Sequence, residues 1–78
     1  MEIKILGSGC ANCQRLESNT HLAADELGIA ATFEKVTDPA EIASWGVMRT
    51  PALVIDDEVV MSGRVPSQDD IKQLLAQR

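Results

Sequence analysis

Cys10 and Cys13 are the only cysteines in the chain, with two residues between them, just after an apolar run Ile3-Lys4-Ile5-Leu6 and a Gly7-Ser8-Gly9 turn. Two cysteines placed at random in so short a chain would stand three apart only about one time in forty, so the spacing carries information. Three residues is close to one helical turn. A helix starting here holds both sulfurs at one end, near enough to close a small disulfide ring and to open it again. The first turn of a helix also exposes unpaired amide N–H groups and the positive end of the dipole, which favour a thiolate over a thiol. Cys10, at the mouth of the turn, is expected to be the outer, attacking sulfur. Cys13 falls on the apolar stripe one turn before Leu16, so it is expected to be buried and to resolve a mixed disulfide from behind. Gly7 and Gly9 let the backbone turn sharply and would leave room for a bulky disulfide partner.

The elements that must position this pair are closely punctuated. Ile3 to Leu6 reads as a first strand. From about Ala11 to Leu27 the residues Cys13, Leu16, Ala23, Ala24 and Leu27 recur at helical spacing, with Glu17, Asn19, Asp25 and Glu26 elsewhere on the wheel, and Gly28 is the expected stop. Ile29 to Val36 alternates, as a strand with one wet face does, and suits a sheet edge. Asp38-Pro39-Ala40-Glu41 has the pattern of a capping box with proline at the first helical position, opening a short helix that Gly46 ends. Ala52-Leu53-Val54-Ile55 is an unbroken apolar run suited to a central strand. Asp56-Asp57-Glu58 is a polar turn, and Val59-Val60-Met61 returns as the second arm of a hairpin. Ser67 caps a last helix with Asp69 and Asp70 in its first turn, Arg78 at its end and Ile71, Leu74 and Leu75 as its stripe. The order is βαβαββα, and the simplest closure is an α/β fold in which three helices pack on a four-stranded mixed sheet.

Composition narrows the function classes. Seventy-eight residues, 45% of them hydrophobic, make one small domain, residues 1–78, with an adequate aliphatic core and a thin stability margin. Twelve acidic residues against seven basic ones give a formal charge of −5. The basic residues are scattered, which argues against a nucleic-acid partner. No apolar run approaches the length of a membrane span and no signal-peptide pattern opens the chain. A cytoplasmic monomer is expected. In that compartment a cysteine pair is more often catalytic or metal-binding than a structural staple.

Thr50-Pro51 is the second informative feature. If the strand from Ala52 runs antiparallel beside the first strand, its start lies next to that strand's end, and Thr50-Pro51 faces the two cysteines. Base rates alone make the bond trans, since only about 5–6% of X-Pro bonds in folded proteins are cis. A C-x-x-C at the head of the helix after the first strand, with Thr-Pro opening a later central strand, resembles the thioredoxin superfamily. The segments Ile5 to Cys13 and Gly46 to Ile55, with Gly63-Arg64-Val65-Pro66 after the hairpin, resemble its small redox-active disulfide proteins, minimal thioredoxin-like domains of bacteria and archaea.

The resemblance covers nearly the whole chain and implies a minimal thioredoxin/glutaredoxin-like fold. It also implies a thiol–disulfide oxidoreductase with Cys10 as nucleophile, a cis Pro51, and Thr50 offering its backbone to an extended substrate. Its partners would be protein or small-molecule disulfides and a recycling reductase, with no cofactor and no metal. No Trp precedes Cys10 and no Pro separates the cysteines, unlike ordinary thioredoxins. Gly63-Arg64-Val65 has no acidic residue where glutaredoxins hold the glutathione amine, so glutathione is not assigned.

The rival reading is a soft-metal module that binds Cu(I) or Zn through the same two thiolates. Heavy-metal-associated domains of this length also carry C-x-x-C between a first strand and helix. They continue strand-strand-helix-strand, however, and have no place for the Asp38-Pro39 helix start or for Thr50-Pro51. A thioredoxin-like fold kept only for protein interaction is a third reading, which two intact cysteines argue against. The remaining candidates have plainer readings. Arg49 adjoins the Thr50-Pro51 loop and is expected to be a solvated surface residue. Trp45 is expected to anchor the core, and Met48 and Met61 to fill it. His21 lies eight residues past Cys13, roughly 12 Å along the helix, too far to share a metal ion.

Overall fold

A computed structural model describes residues 1–7 and 9–77. The middle of the Gly7-Ser8-Gly9 turn and the expected Arg78 at the last helix end lie outside the described residues. Successive strand side chains point to opposite faces, and this alternation organises the molecule. In β1 (Glu2–Leu6), Ile3 and Ile5 face one side while Leu6 faces the other. The 17-residue helix α1 (Ala11–Leu27) carries the chain back, and β2 (Thr32–Val36) pairs parallel to β1 with Ile3 opposite Phe33 and Leu6 opposite Val36. The short α2 (Pro39–Ser44) leads to β3 (Ala52–Ile55), antiparallel to β1. A turn with Asp56 and Asp57 at φ 48° and 66° reverses into β4 (Glu58–Ser62), and α3 (Gln68–Ala76) closes the fold.

The strand order is β2-β1-β3-β4, so β1 and β3 are central and β2 lies at an edge, as its single wet face predicts. Ala52 to Ile55 is buried throughout, as its unbroken apolar run requires. The larger core lies between the sheet and helices α1 and α3. There Ile3, Ile5, Leu53 and Ile55 meet Leu16, Ala23 and Ala24 of α1 and Ile71 and Leu75 of α3. Burial of each large aliphatic side chain in it is worth about 1.5–3 kcal/mol. The opposite face is covered more thinly, by Ile42 of α2 over Leu6, Val36, Ala52 and Val54. The register shifts between Leu53 and Val54, so that Leu53 opposes Met61 while Val54 opposes Val59. This bulge leaves Val59 on the thin face and puts Val60 and Met61 against the larger core.

Several expectations are corrected. Met48 does not fill the core; it is 97% exposed, because the segment between α2 and β3 turns it outward. Leu27 ends α1 exposed, and Thr20 takes the buried place on the stripe because its hydroxyl donates to the Leu16 carbonyl at 2.7 Å. Asp38 caps α2 through the Ala40 N–H at 3.1 Å rather than through a box with Glu41. Trp45 packs against the thin face as expected but stays half-buried, with the Lys4 ammonium 4.9 Å from its ring centroid. The Thr50–Pro51 bond, by contrast, is cis as the family resemblance implies, against the base rate for X-Pro bonds.

Candidate active site

Because α1 follows β1 directly, its N-terminus opens at the end of a central strand. Cys10 is the N-cap, in extended backbone at φ −69° and ψ 165°, and its Sγ accepts the Cys13 N–H at 3.1 Å. The Cys10 carbonyl accepts the Gln14 N–H at 3.0 Å, the first bond of the helix. No acidic residue occupies the first turn. The amides and the positive dipole end therefore face sulfur with no carboxylate competing for them. Cys10 and Cys13 form a disulfide across a Cα separation of 5.0 Å. Their surroundings differ sharply: Cys10 is exposed and Cys13 is only 5% exposed.

Gly7 accounts for the burial of Cys13. A Cβ built on Gly7 would collide with the Cys13 Sγ and stand 3.2 Å from its Cβ and 3.9 Å from the Pro51 Cα. Cys13 and Pro51 thus both pack against Gly7. The space that glycine frees is occupied by the protein's own inner sulfur and not by an incoming partner. Gly9 differs: its φ of +82° needs glycine, and nothing crowds it.

The register places Ala52 opposite Leu6, so Thr50 and Pro51 enter β3 beside the end of β1, with Thr50 exposed and Pro51 buried. The Gly63 N–H donates to the Pro51 carbonyl at 2.9 Å, and the Arg49 stem lies over Gly63. Arg49 is exposed, and its guanidinium has no carboxylate partner among the described residues. His21 is exposed on α1 and stacks on Phe33 with ring centroids 3.8 Å apart.

Behind Cys13 lies a cavity of about 150 Å³, bordered by Cys13, Gln14, Glu17, Lys35 and Thr37. Glu17 and Lys35 form an ion pair of 3.0 Å across it, from α1 to β2. The sequence reading placed Glu17 merely off the apolar stripe. Its spacing of four from Cys13 is the signal that could have found it, since residues four apart on a helix are neighbours. Among the described residues, no group of three or more His, Cys, Asp and Glu comes together to hold a metal ion. No helix among them is long and apolar enough to cross a membrane.

An exposed and a buried sulfur at one helix head, joined in a two-residue disulfide ring beside a Thr-Pro strand entry, define a dithiol–disulfide exchange protein. Residues 1–76 match the family described as Thioredoxin domain. The chain is 46% identical over 76 residues to a thioredoxin of Methanothermobacter thermautotrophicus, an alignment covering 97% of this chain and 99% of that protein. It is 45% identical over 73 residues to a thioredoxin of Methanocaldococcus jannaschii, covering 94% of this chain and 84% of that one. The chain belongs to the thioredoxin family, and it is a thiol–disulfide oxidoreductase that works through a C-x-x-C disulfide.

Proposed function

We propose that Cys10 is the attacking sulfur and Cys13 the resolving one, in a single domain that reduces disulfides of protein partners and is recharged by a separate reductase. The observation that carries this division is the asymmetry of the pair. The Cys10 Sγ is exposed and accepts a helix N-terminal amide, whereas the Cys13 Sγ is packed against Gly7. As a thiolate, Cys10 attacks one sulfur of the substrate disulfide, and the other substrate sulfur leaves with the electron pair. Cys13, once deprotonated, attacks the Cys10 Sγ. The second substrate sulfur leaves, and the Cys10–Cys13 disulfide remains.

Thr50 and Pro51 are the substrate-docking residues in this reading. Thr50 is exposed at the entry to β3, next to the Pro51 that packs against Gly7, and an extended substrate segment laid along it would bring its sulfur to Cys10. A protein disulfide is the favoured substrate class because both similar proteins are named thioredoxins and the Cys10 sulfur sits on an open surface. The reducing cytoplasm suits a monomer that must be returned to the dithiol after each turnover.

The test is to replace the resolving sulfur. Cys13→Ser, reduced and mixed with a disulfide-linked peptide, is expected to accumulate a mixed disulfide through Cys10, whereas Cys10→Ser accumulates none through Cys13. Equal trapping by both variants would remove the division of roles. No trapping by either, together with tight stoichiometric Cu(I) binding by the reduced protein, would replace exchange with metal binding.

A further inference from the structure

Folding sorts the basic residues that are scattered along the chain. Lys4, Lys35 and Lys72 are paired with Glu34, Glu17 and Glu26, at 3.6, 3.0 and 3.1 Å. Arg15, Arg49 and Arg64 are exposed and have no carboxylate partner among the described residues. These three arginines also share one end of the molecule. Leu6 lies opposite Ala52 and Ala52 opposite Ser62, so the end of β1, the start of β3 and the end of β4 stand side by side. The segments that meet the sheet there, residues 7–16, 42–51 and 63–68, hold Arg15, Arg49 and Arg64 and not one Asp or Glu. The chain as a whole carries twelve acidic residues and a formal charge of −5. The carboxylates at this end, Asp38 and Glu41, follow β2, which β1 separates from β3.

Arg49 has the most direct place. It precedes Thr50, and its stem crosses Gly63, where a Cβ would stand 3.2 Å from the Arg49 Cβ and 3.4 Å from its Cδ. Gly63 in turn donates its N–H to the Pro51 carbonyl at 2.9 Å, so the stem is braced against the same backbone that would receive a substrate. Arg15 stands one helical turn before Asn19, on the same side of α1, and the Asn19 amide donates to the Pro66 carbonyl at 3.1 Å. That contact sets this side of α1 against the loop that follows β4. Arg64 is the outermost. Its Nε donates to the Met61 Sδ at 3.0 Å, a neutral partner, and it borders a cavity shared with Asp70 and Gln73. A cluster of one sign beside a docking surface raises the encounter rate of oppositely charged partners and holds off like-charged ones. A guanidinium also takes a carboxylate through two parallel N–H bonds.

We infer that the substrate is a polypeptide whose disulfide is flanked by Asp or Glu, and that Arg49 is the residue that selects it, with Arg15 and Arg64 adding to the field. The inference rests on the exchange reading of Cys10, Thr50 and Pro51. The occupant is a polypeptide because it must bring a disulfide to Cys10 along an extended backbone, which a nucleic acid does not. The acidic remainder of the chain repels the same partner elsewhere, so the field guides it to this end.

The test uses three peptides of equal length, each with one cysteine linked in a mixed disulfide to neutral thiopyridine and flanked by Glu, Gln or Lys. The Cys10 thiolate of the reduced full chain attacks the peptide sulfur, and thiopyridone leaves with the electron pair and is read by its absorbance. At low salt the Glu peptide is expected to react about tenfold faster than the Lys peptide, with the Gln peptide between them. Added salt should shrink that ratio, since the charges are exposed. Arg49→Gln should lower it about threefold, the share of an exposed charge pair, and Arg49→Lys should restore most of it. Lys72→Gln removes an equal charge beside Glu26, about 24 Å along α1 from Cys10, and should leave the ratio unchanged. Equal rates for the three peptides, or a ratio untouched by Arg49→Gln, overturns the inference. So does an equal fall in Lys72→Gln, which would assign the preference to net charge alone. An equal slowing of all three peptides in Arg49→Gln, matched by slower alkylation with iodoacetamide, overturns it too, by placing Arg49 on the Cys10 thiolate. Failure of the unsubstituted protein to release thiopyridone from any peptide would instead overturn the exchange reading beneath it.

Discussion

Helices α1 and α3 begin on the same backbone. Cys10 lies at φ −69° and ψ 165°, and Ser67 lies at φ −70° and ψ 165°. Each side chain accepts the N–H of the residue three positions on, at 3.1 Å: Cys10 Sγ from Cys13, and Ser67 Oγ from Asp70. The two helices part company at that third residue. Asp70 turns back to accept the Ser67 N–H at 3.4 Å and closes a capping box, whereas Cys13 turns to the Cys10 sulfur. Acidic residues fill the first turn of α3, at Asp69 and Asp70, and are absent from that of α1. The C-x-x-C spacing is thus the spacing of a capping box with sulfur at both positions. What makes one helix start structural and the other reactive is the chemistry of two side chains and the removal of carboxylates around them, not a difference in backbone.

The largest test of this parallel converts one start into the other. Cys10→Ser is expected to reduce disulfide exchange to background while keeping the cap, because a serine oxygen accepts the Cys13 amide as Ser67 accepts Asp70. Serine is a strongly preferred N-cap, so reduced Cys10→Ser should unfold in urea at the same stability as the reduced parent or up to about 1 kcal/mol above it. A loss of more than that would mean the Cys10 side chain holds the fold in some way other than capping.

The complementary change tests the structural start. Ser67→Ala should cost about 1 kcal/mol by removing the Oγ that pairs with the Asp70 N–H. In a domain of this size that lowers the melting temperature by roughly 4–8 °C. The rate of disulfide exchange should stay unchanged, since α3 carries no part of the redox pair. A slowed exchange would show that the two helix starts are coupled through the packing of α1 on α3.

Much of this was legible in the sequence, because the signals were local. The glycine stop at Gly28, the Ser67 cap, the apolar run of β3 and the C-x-x-C at a helix head each depend on a few adjacent residues. The misses all needed a partner distant in sequence, or an environment. Met48 reads as core until the α2–β3 segment turns it to solvent. Gly7 looked like room for a substrate because only the folded chain brings the Cys13 sulfur against it. Glu17 looked like an ordinary wet-face residue because Lys35 reaches it only once β2 has paired with β1. The hairpin bulge at Leu53/Val54 has no local marker at all, since Val59-Val60-Met61 is apolar throughout and marks neither face.

The smallest effect probes the cleared first turn of α1. Asn12 holds the second helical position there, and Asp69 holds the same position in α3. Asn12→Asp therefore copies the structural start into the reactive one at a single site. A carboxylate so placed interacts favourably with the helix dipole, worth about 0.3–1 kcal/mol at an exposed site. For the same reason it competes with a Cys10 thiolate for the same field and repels it. Reduced Asn12→Asp should then carry about 2–5-fold less Cys10 thiolate near neutral pH, by the same free-energy range. Its rate of alkylation by iodoacetamide should fall by that factor. The sign is set by which form the carboxylate disfavours: the thiolate loses, so the thiol titrates at higher pH and the deficit closes as pH rises above that point. It should also close with added salt, because the interaction is between exposed charges. A fall that persists at high pH and high salt would mean the new side chain blocks Cys10 sterically. No fall at all would mean the amide-to-sulfur bond dominates the thiolate's environment and the absence of acid from this turn is incidental.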